Sequence, residues 1–389
     1  MFAVLKGLRK SPAALLAIFA TLVLAACQPT GGSGPRINAG DPVPVALLVP
    51  SGSGSAGDEL LARSLENAAR MAISDLGGVR IDLRVYSDAG QPGAAAAAAS
   101  RAVDDGARII LGPVYAQAAN AAGQAVAGRG ISVLSFSNNT DIAGGNVFVL
   151  GQTFQSTANR LVRHAASTGK RKIMVVHDAN QAGEIGKNAI VRAIQSSGAS
   201  LAGVGSYQFS QQGVVDAVPG IASTIRSSSA DAVFFTADSS GALPLITQLL
   251  ADNSISPSVY KFIGLTRWDI PAATLALPGI QGGWFALPDP GLSAQFQGRY
   301  AATFGEPPHP IAGLAYDGIA AIGALVKSGN PAGLGGAALT QGSGFVGVNG
   351  VFRLRADGTN ERGLAIAEIR NNQVVLIDPA PRSFGGAGF

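Results

Sequence analysis

Two hydrophobic periodicities alternate along the chain, and that alternation narrows the folds open to it. Short continuous apolar runs read as buried strands; the segments between them carry apolar residues every three or four positions, one face of a helix. The stretch 108–140 shows the unit most clearly. Ile109-Ile110-Leu111 stops at Gly112-Pro113, and a helical pattern from Ala116 to Ala127 ends at Gly128 and Gly130. A second run, Ile131 to Leu134, breaks into Ser135-Phe136-Ser137-Asn138-Asn139-Thr140. Both loops leave the carboxyl ends of neighbouring strands, where open α/β sheets place their ligands. Hydroxyls and amides donate and accept hydrogen bonds and so suit a polar cleft. They are equally the preferred caps of a helix start.

The same pattern runs through most of the chain. Strands are predicted at Val45–Val49, Ile81–Tyr86, Val147–Leu150, Lys172–Val176, Leu201–Ser206, Ala232–Phe235, Tyr260–Ile263 and Gly283–Ala286. Helices are predicted at Glu59–Leu76, Gly93–Val103, Gln155–Ser167, Glu184–Ser196, Val214–Arg226 and Gly241–Ala251. That makes two βα series, each sized for one doubly wound sheet. Two further helices, Leu292–Phe304 and Ile311–Val326, are followed by strands at Val351–Leu354, Ala365–Ile369 and Val374–Ile377. Ser383–Phe389 reads as a frayed tail.

The first 27 residues form a unit of their own. A basic region, Lys6 to Lys10, precedes an apolar run from Ala13 to Leu24, then Leu24-Ala25-Ala26-Cys27. This is the layout of a secretory signal peptide. Its end resembles a bacterial lipobox, which implies cleavage before Cys27 and lipidation of its thiolate. Three acyl chains give a stable anchor, since one is only marginal. Gln28 stands where an Asp would resemble an inner-membrane retention signal, so the expected location is the periplasm, on the inner face of the outer membrane. Residues 28–42, rich in Gly, Ser and Pro, read as a tether averaging about 20 Å. Without Lys6, Arg9 and Lys10 the charges stand at 25 basic to 24 acidic. No basic block or aromatic–basic interleaving appears, so nucleic acid is not an expected partner.

Chemical motifs are sparse. Gly52, Gly54 and Gly57 match G-x-G-x-x-G between a strand and a helix, but the following acid, Asp88, lies too far on for a dinucleotide site. Ser51 and Ser53 of this loop instead suit a cleft wall. His164, His177 and His309 have no partners at metal-ligand spacing, and the adjacent His177-Asp178 would point to opposite faces of a strand. No G-x-S-x-G elbow exists. An enzyme is therefore not expected, nor a cofactor or metal. Thr266-Arg267-Trp268-Asp269 follows a strand, so Arg267 or Trp268 either faces the cleft or packs as an ordinary surface arginine and core aromatic.

Taken in order, several stretches resemble the type I periplasmic binding proteins of the leucine/isoleucine/valine-binding group: Val45-Ala46-Leu47-Leu48-Val49-Pro50, Asp88 with its Ala-rich helix, Ile109-Ile110-Leu111-Gly112-Pro113, Val133-Leu134-Ser135, and Val175-Val176-His177-Asp178 with Gly183. The resemblance covers Val43 to about Ile377. It implies an α/β fold of two doubly wound, Rossmann-like lobes joined by a three-strand hinge. The implied division is a signal peptide at 1–26, lipidated cysteine and tether at 27–42, a first lobe at 43–150 and 287–342, a second at 151–286 and 343–379, and a tail at 380–389. The ligand positions depart from the amino-acid binders. Their first-loop Ser matches Ala116, beside Tyr115, and their second-loop Thr falls near Asn139, after Ser137 and Asn138. Two Tyr positions fall on Ala182 and near Asp238, and the ammonium-binding Glu falls near Thr266. Asp238 is the substitute available to an ammonium; the set as a whole is lost, and a branched-chain amino acid is not the expected ligand. A lipid anchor with an altered site resembles the penicillin-binding protein activators, implying a non-enzymatic regulator of peptidoglycan synthesis that contacts a synthase. The alternative is the substrate-binding lipoprotein of an ABC importer, contacting a permease and carrying amino acids or another small polar solute.

Overall fold

The computed structural model describes residues 35–385 except 39 and 331. The lipobox cysteine, Cys27, and the leader before it lie outside the described residues.

A five-stranded parallel sheet, ordered β2-β1-β3-β4-β5, holds β1 (Val43–Val49), β2 (Ile81–Ser87), β3 (Ile109–Leu111), β4 (Val133–Ser135) and β5 (Val147–Val149). Side chains on a strand alternate between faces, and β1 shows the consequence. Val45, Leu47 and Val49 enter one core, with α1 (Ala56–Asp75), α8 (Pro290–Phe304) and α9 (Gly313–Lys327). Ala46 and Leu48 enter the other, with α2 (Pro92–Asp104) and α3 (Ala116–Val126). Both faces are covered, as a parallel sheet requires.

The second sheet is mixed, ordered β15-β14-β10-β9-β8-β6-β7. Its parallel part is β6 (Lys172–Asp178), β7 (Ser200–Tyr207), β8 (Ala232–Phe235), β9 (Lys261–Gly264) and β10 (Trp284–Leu287); β14 (Ala365–Arg370) and β15 (Gln373–Asp378) run antiparallel on its edge. Ile173 and Val175 face α4 (Phe154–Ser167) and α5 (Gln181–Gln195). Met174 and Val176 face the layer of α6 (Gln211–Ser227) and α7 (Leu243–Asp252). The two-lobed α/β architecture expected from the sequence is thus present.

Three expectations need correction. Ile37 is only 5% exposed and joins the first lobe's core, so the tether read at 28–42 does not run free to Pro42. The run at 343–354, assigned to the second lobe, supplies Phe345, Phe352 and Leu354 to the core of the first. It belongs to a small antiparallel sheet of β11 (Phe345–Gly347), β12 (Gly350–Leu354) and β13 (Asn360–Arg362). The tail expected at 380–389 begins packed: Ala380 is buried, and the Arg353 guanidinium stands 4.5 Å over the Phe384 ring.

The chain passes between lobes at residues 150–153, 288–289 and 363–364. Arg362, buried on β13, clamps the first of these. Its Nε and Nη2 donate to the Leu150 carbonyl at 2.9 and 2.6 Å, and its Nη1 to Asp317 Oδ2 on α9 at 2.9 Å. Asn360 Nδ2 donates to the Val149 and Gly151 carbonyls at 2.8 and 2.7 Å. Asn349 completes the brace: its Nδ2 donates to Asp317 Oδ2 at 3.0 Å, and its carbonyl accepts from Asp289 N at 3.4 Å.

Candidate functional site

The carboxyl ends of both sheets face the space between the lobes, and the loops leaving them carry the polar groups. After β1 the chain turns through Gly52 and Gly54, both at positive φ, a region that glycine enters without strain. The serines here build the loop: Ser53 Oγ accepts from Ser55 N at 3.1 Å, and the Ser51 carbonyl accepts from the Ser87 hydroxyl. Gly52 N donates to Glu59 Oε1 at 2.6 Å, so the amide that a phosphate-binding loop would offer already has an anion. The G-x-G-x-x-G match is a structural turn.

Tyr115 precedes α3 and is 42% exposed; no side chain caps the helix, and half-buried Ala116 opens it. The Tyr115 hydroxyl donates to Asp58 Oδ1, which pushes the phenol up to about 12 and holds the Asp58 carboxyl below its usual range. Asp88, at the end of β2, shares this locus. It is 1% exposed; Oδ1 accepts from Gly90 N at 2.7 Å, while Oδ2 has no hydrogen-bond partner. Burial, with repulsion from Asp58 added, pushes its carboxyl up to about 6. Asp58 and Asp88 were not among the residues expected in the cleft. Asp88 stands directly after an apolar run, at a carboxyl strand end, and that position was the available signal.

The loop after β4 spends part of its polarity on itself. Buried Ser137 accepts from Asn139 N through Oγ at 3.1 Å, and Asn139 Oδ1 caps a 3₁₀ turn, Thr140–Ile142, by accepting from Asp141 N at 2.9 Å. Asn138 and Asn139 nevertheless line a cleft of about 320 Å³ with the second lobe, shared with Thr140, Gln155, Gln181, Ala182, Ile185 and Arg192. The structure thus brings Asn138, Asn139 and Ala182 together from opposite lobes.

The second lobe's wall is built on β6 and β8. Their register pairs Val176 with Phe235, so Asp178 lies level with Ala237, next to Asp238; Asp178 N donates to Thr236 Oγ1 at 3.2 Å. Asp178 accepts from the buried Tyr207 hydroxyl, yet burial and the Asp238 charge raise its carboxyl pKa. Exposed Asp238 caps the following turn through Oδ1, which accepts from Ser240 N at 3.0 Å and Gly241 N at 2.7 Å. Thr266 Oγ1 donates to the Ala237 carbonyl at 3.5 Å. Arg267 meets no free anion: its Nε and Nη2 both engage Asp269. Trp268 is fully buried against Phe235, and Gly264 and Gly283 make room for its ring, since a Cβ at either would lie 2.3 and 2.6 Å from it. It is a core residue.

A periplasmic binding protein profile matches residues 42–373. The chain belongs to that family. Among solved structures, a putative branched-chain amino acid ABC transporter protein of Rhodospirillum rubrum superposes with a TM-score of 0.73 at 17% identity, covering 87% of this chain and 100% of its own. A substrate-binding protein of Desulfitobacterium hafniense in complex with Leu gives 0.63 at 18% identity, with 87% and 100% covered. A solute-binding protein of Rhodopseudomonas palustris in complex with 3,4-dihydroxybenzoic acid gives 0.57 at 17%, with 87% and 98% covered. Among curated proteins none matches. At these identities the family likeness extends to the fold, while ligand chemistry rests on the side chains of this cleft.

Proposed function

We propose that this periplasmic binding protein is the solute receptor of an ABC importer, taking a small polar solute between its lobes and presenting it to a permease. The observation that carries this is the cleft where Asn138 and Asn139 of one lobe face Gln181, Ala182 and Arg192 of the other. Amides from both sides suit a small hydrogen-bonding solute that both lobes hold at once. The relatives of like fold include proteins bound to Leu and to 3,4-dihydroxybenzoic acid. Lipidation at Cys27, with the body held in the periplasm, fits such a receptor.

A second reading, a regulator that contacts a peptidoglycan synthase, draws on Ala116 and Ala182, which present methyl groups where the resembling amino-acid binders carry hydroxyls. One experiment separates the two. The full-length protein is melted against amino acids, aromatic acids and amines. A receptor gains about 2.7 kcal/mol at a ligand concentration 100 times Kd, an upward shift of several degrees. No shift with any solute, together with capture of a synthase whose glycan polymerisation it accelerates, overturns the receptor reading.

A further inference from the structure

We infer that the end of the first lobe remote from the cleft docks on a bilayer rich in anionic lipid, beside the acylated Cys27. The inference is independent of the receptor reading and rests on acylation of Cys27, the expectation drawn from the lipobox.

The fold gathers the surface from separate segments. Strands β1 to β5 all run parallel, so their amino ends share one edge of the sheet. The helices α1, α2 and α3 each run back from a carboxyl end and finish at that edge. The end of α9 joins them: a Cβ on Gly323 would stand 2.5 Å from Leu76, just past α1, and Ser132 Oγ, just before β4, donates to the Leu334 carbonyl at 3.1 Å. Val43 N donates to the Arg80 carbonyl and Arg108 N to the Pro44 carbonyl, both at 2.9 Å. Since β2 and β3 flank β1, these bonds set the two arginines on either side of its start.

The distribution of charge is the first observation. At the amino end of the sheet, residues 35–42, 75–80, 101–108, 127–132 and 327–334 carry Arg36, Arg80, Arg101, Arg108, Arg129 and Lys327 against four aspartates. At the carboxyl end, residues 50–59, 88–91, 112–115 and 136–141 carry Asp58, Glu59, Asp88 and Asp141 and no Lys, Arg or His. The aspartates of the basic end are engaged: Asp75 by Arg299, Asp104 by Arg129, Asp105 by the Tyr86 hydroxyl at 2.8 Å and Asp41 by Asn38 at 3.2 Å. Of the six cations only Arg129 is in an ion pair among the described residues, and the other five are exposed. Helix dipoles account for Arg101 and Lys327, which stand in the last turns of α2 and α9. Arg36, Arg80 and Arg108 lie on no helix and have no such role. Exposed guanidinium groups without acids suit a surface of phosphates.

The second observation is where the chain enters the fold. Ile37 is packed in the first lobe's core beside the loop after α9, where a Cβ on Gly333 would stand 3.7 Å from its Cδ1. The Arg80 guanidinium donates to the Gly40 carbonyl. The chain is thus fastened to the basic end from Ile37 onward. Ile37 stands ten positions after Cys27, so this end lies within about 35 Å of a lipid on that cysteine. The anchor therefore holds the basic end against the headgroups, and each Lys or Arg brought to an anionic bilayer strengthens docking about fivefold. The carboxyl-end loops, and the cleft with them, then face away from the bilayer that holds the anchor.

The test places the acylated protein on vesicles of phosphatidylcholine alone, or of equal parts phosphatidylcholine and phosphatidylglycerol, with an acceptor dye on the headgroups. With Cys27 acylated, a single cysteine introduced by Ala127→Cys at the basic end, or by Ser240→Cys in a carboxyl-end loop of the second lobe, takes the donor dye. Energy transfer in Ala127→Cys is expected to be high with phosphatidylglycerol, to drop on phosphatidylcholine alone, and to weaken as salt rises. In Ser240→Cys it is expected to stay low on both. Arg36→Gln with Arg108→Gln is expected to lower the ratio of docked to undocked protein about twentyfold, with an unchanged melting temperature. Lys170→Gln, Arg171→Gln and Lys172→Gln together, at the amino end of β6, remove more charge from the second lobe and are expected to change nothing. Equal transfer on the two vesicles overturns the inference, as does higher transfer in Ser240→Cys, or a loss in the second-lobe variant with none in the first. If mass spectrometry finds no lipid on Cys27, the inference falls and the receptor reading stands.

Discussion

Asp88 shows how one residue ties stability to pH. Its pKa, near 3.9 in an unfolded chain, is pushed up to about 6 in the fold by burial and by Asp58. A raised carboxyl pKa means that the folded state holds the proton longer. The group's contribution to stability is complete below about pH 4 and is lost as pH rises through about 6. At about 1.4 kcal/mol per pKa unit, the ionised form costs the unliganded protein about 3 kcal/mol at pH 7.5. Asp88→Asn keeps the acceptor for Gly90 N and never ionises. It is expected to stabilise the unliganded protein by about 2 kcal/mol at pH 7.5 and to leave it unchanged near pH 4. Urea unfolding at both values checks this; equal effects at the two pH values would refute the ionisation argument. Its burial could be read from the apolar run before it. The missing donor for Oδ2 could not, because it depends on how the surrounding loops pack.

At the scale of elements, the hinge depends on β13. Its three residues, Asn360, Glu361 and Arg362, are all buried and all polar. No hydrophobic period marks such a strand, and the sequence reading passed over it, while the apolar β12, β14 and β15 were legible. The missing information is tertiary. Arg362 is buried because the Leu150 carbonyl, Asp317 and the Phe352 ring, 4.9 Å from its guanidinium, take up its charge. Gly347 follows from the same packing, since a Cβ there would lie 2.0 Å from Asp317 Oδ1. Removing one member of a buried pair strands the other charge, at a cost of about 3–5 kcal/mol, whereas replacing both is often close to neutral. Asp317→Asn is therefore expected to lower stability by about 3 kcal/mol, and Asp317→Asn with Arg362→Met to recover more than half of that. A double-mutant cycle in guanidinium measures it; strictly additive losses would show that the two residues do not act as a pair. The cleft loops were half legible for a related reason. Ser137 and Asn139 do sit in the loop expected to face the ligand, but their polar atoms also cap that loop, and spacing cannot divide the two roles.

At the scale of the whole molecule, the acids on the carboxyl-end loops of the two lobes bear on how readily the lobes approach. Unit charges 10 Å apart repel by about 0.4 kcal/mol in water, and by more where protein lowers the dielectric. Asp58 and Asp88 belong to one lobe and Asp178 and Asp238 to the other, Glu184 being paired with Lys187; four such pairs at about that separation would sum to about 1–2 kcal/mol. That is enough to move an open–closed equilibrium about tenfold. The brace of Arg362, Asp317 and Asn349 fixes the crossovers at their roots and leaves the loop ends to respond. Salt is then a lever on shape. Raising ionic strength from 0.01 to 0.1 M shortens the screening length from about 30 to about 10 Å, which removes most repulsion across the cleft. X-ray scattering from the unliganded protein is expected to show a smaller radius of gyration at the higher salt. Asp58→Asn with Asp238→Asn should make the low-salt protein as compact as the high-salt one. A radius independent of both salt and these charges would mean that the hinge alone sets the opening.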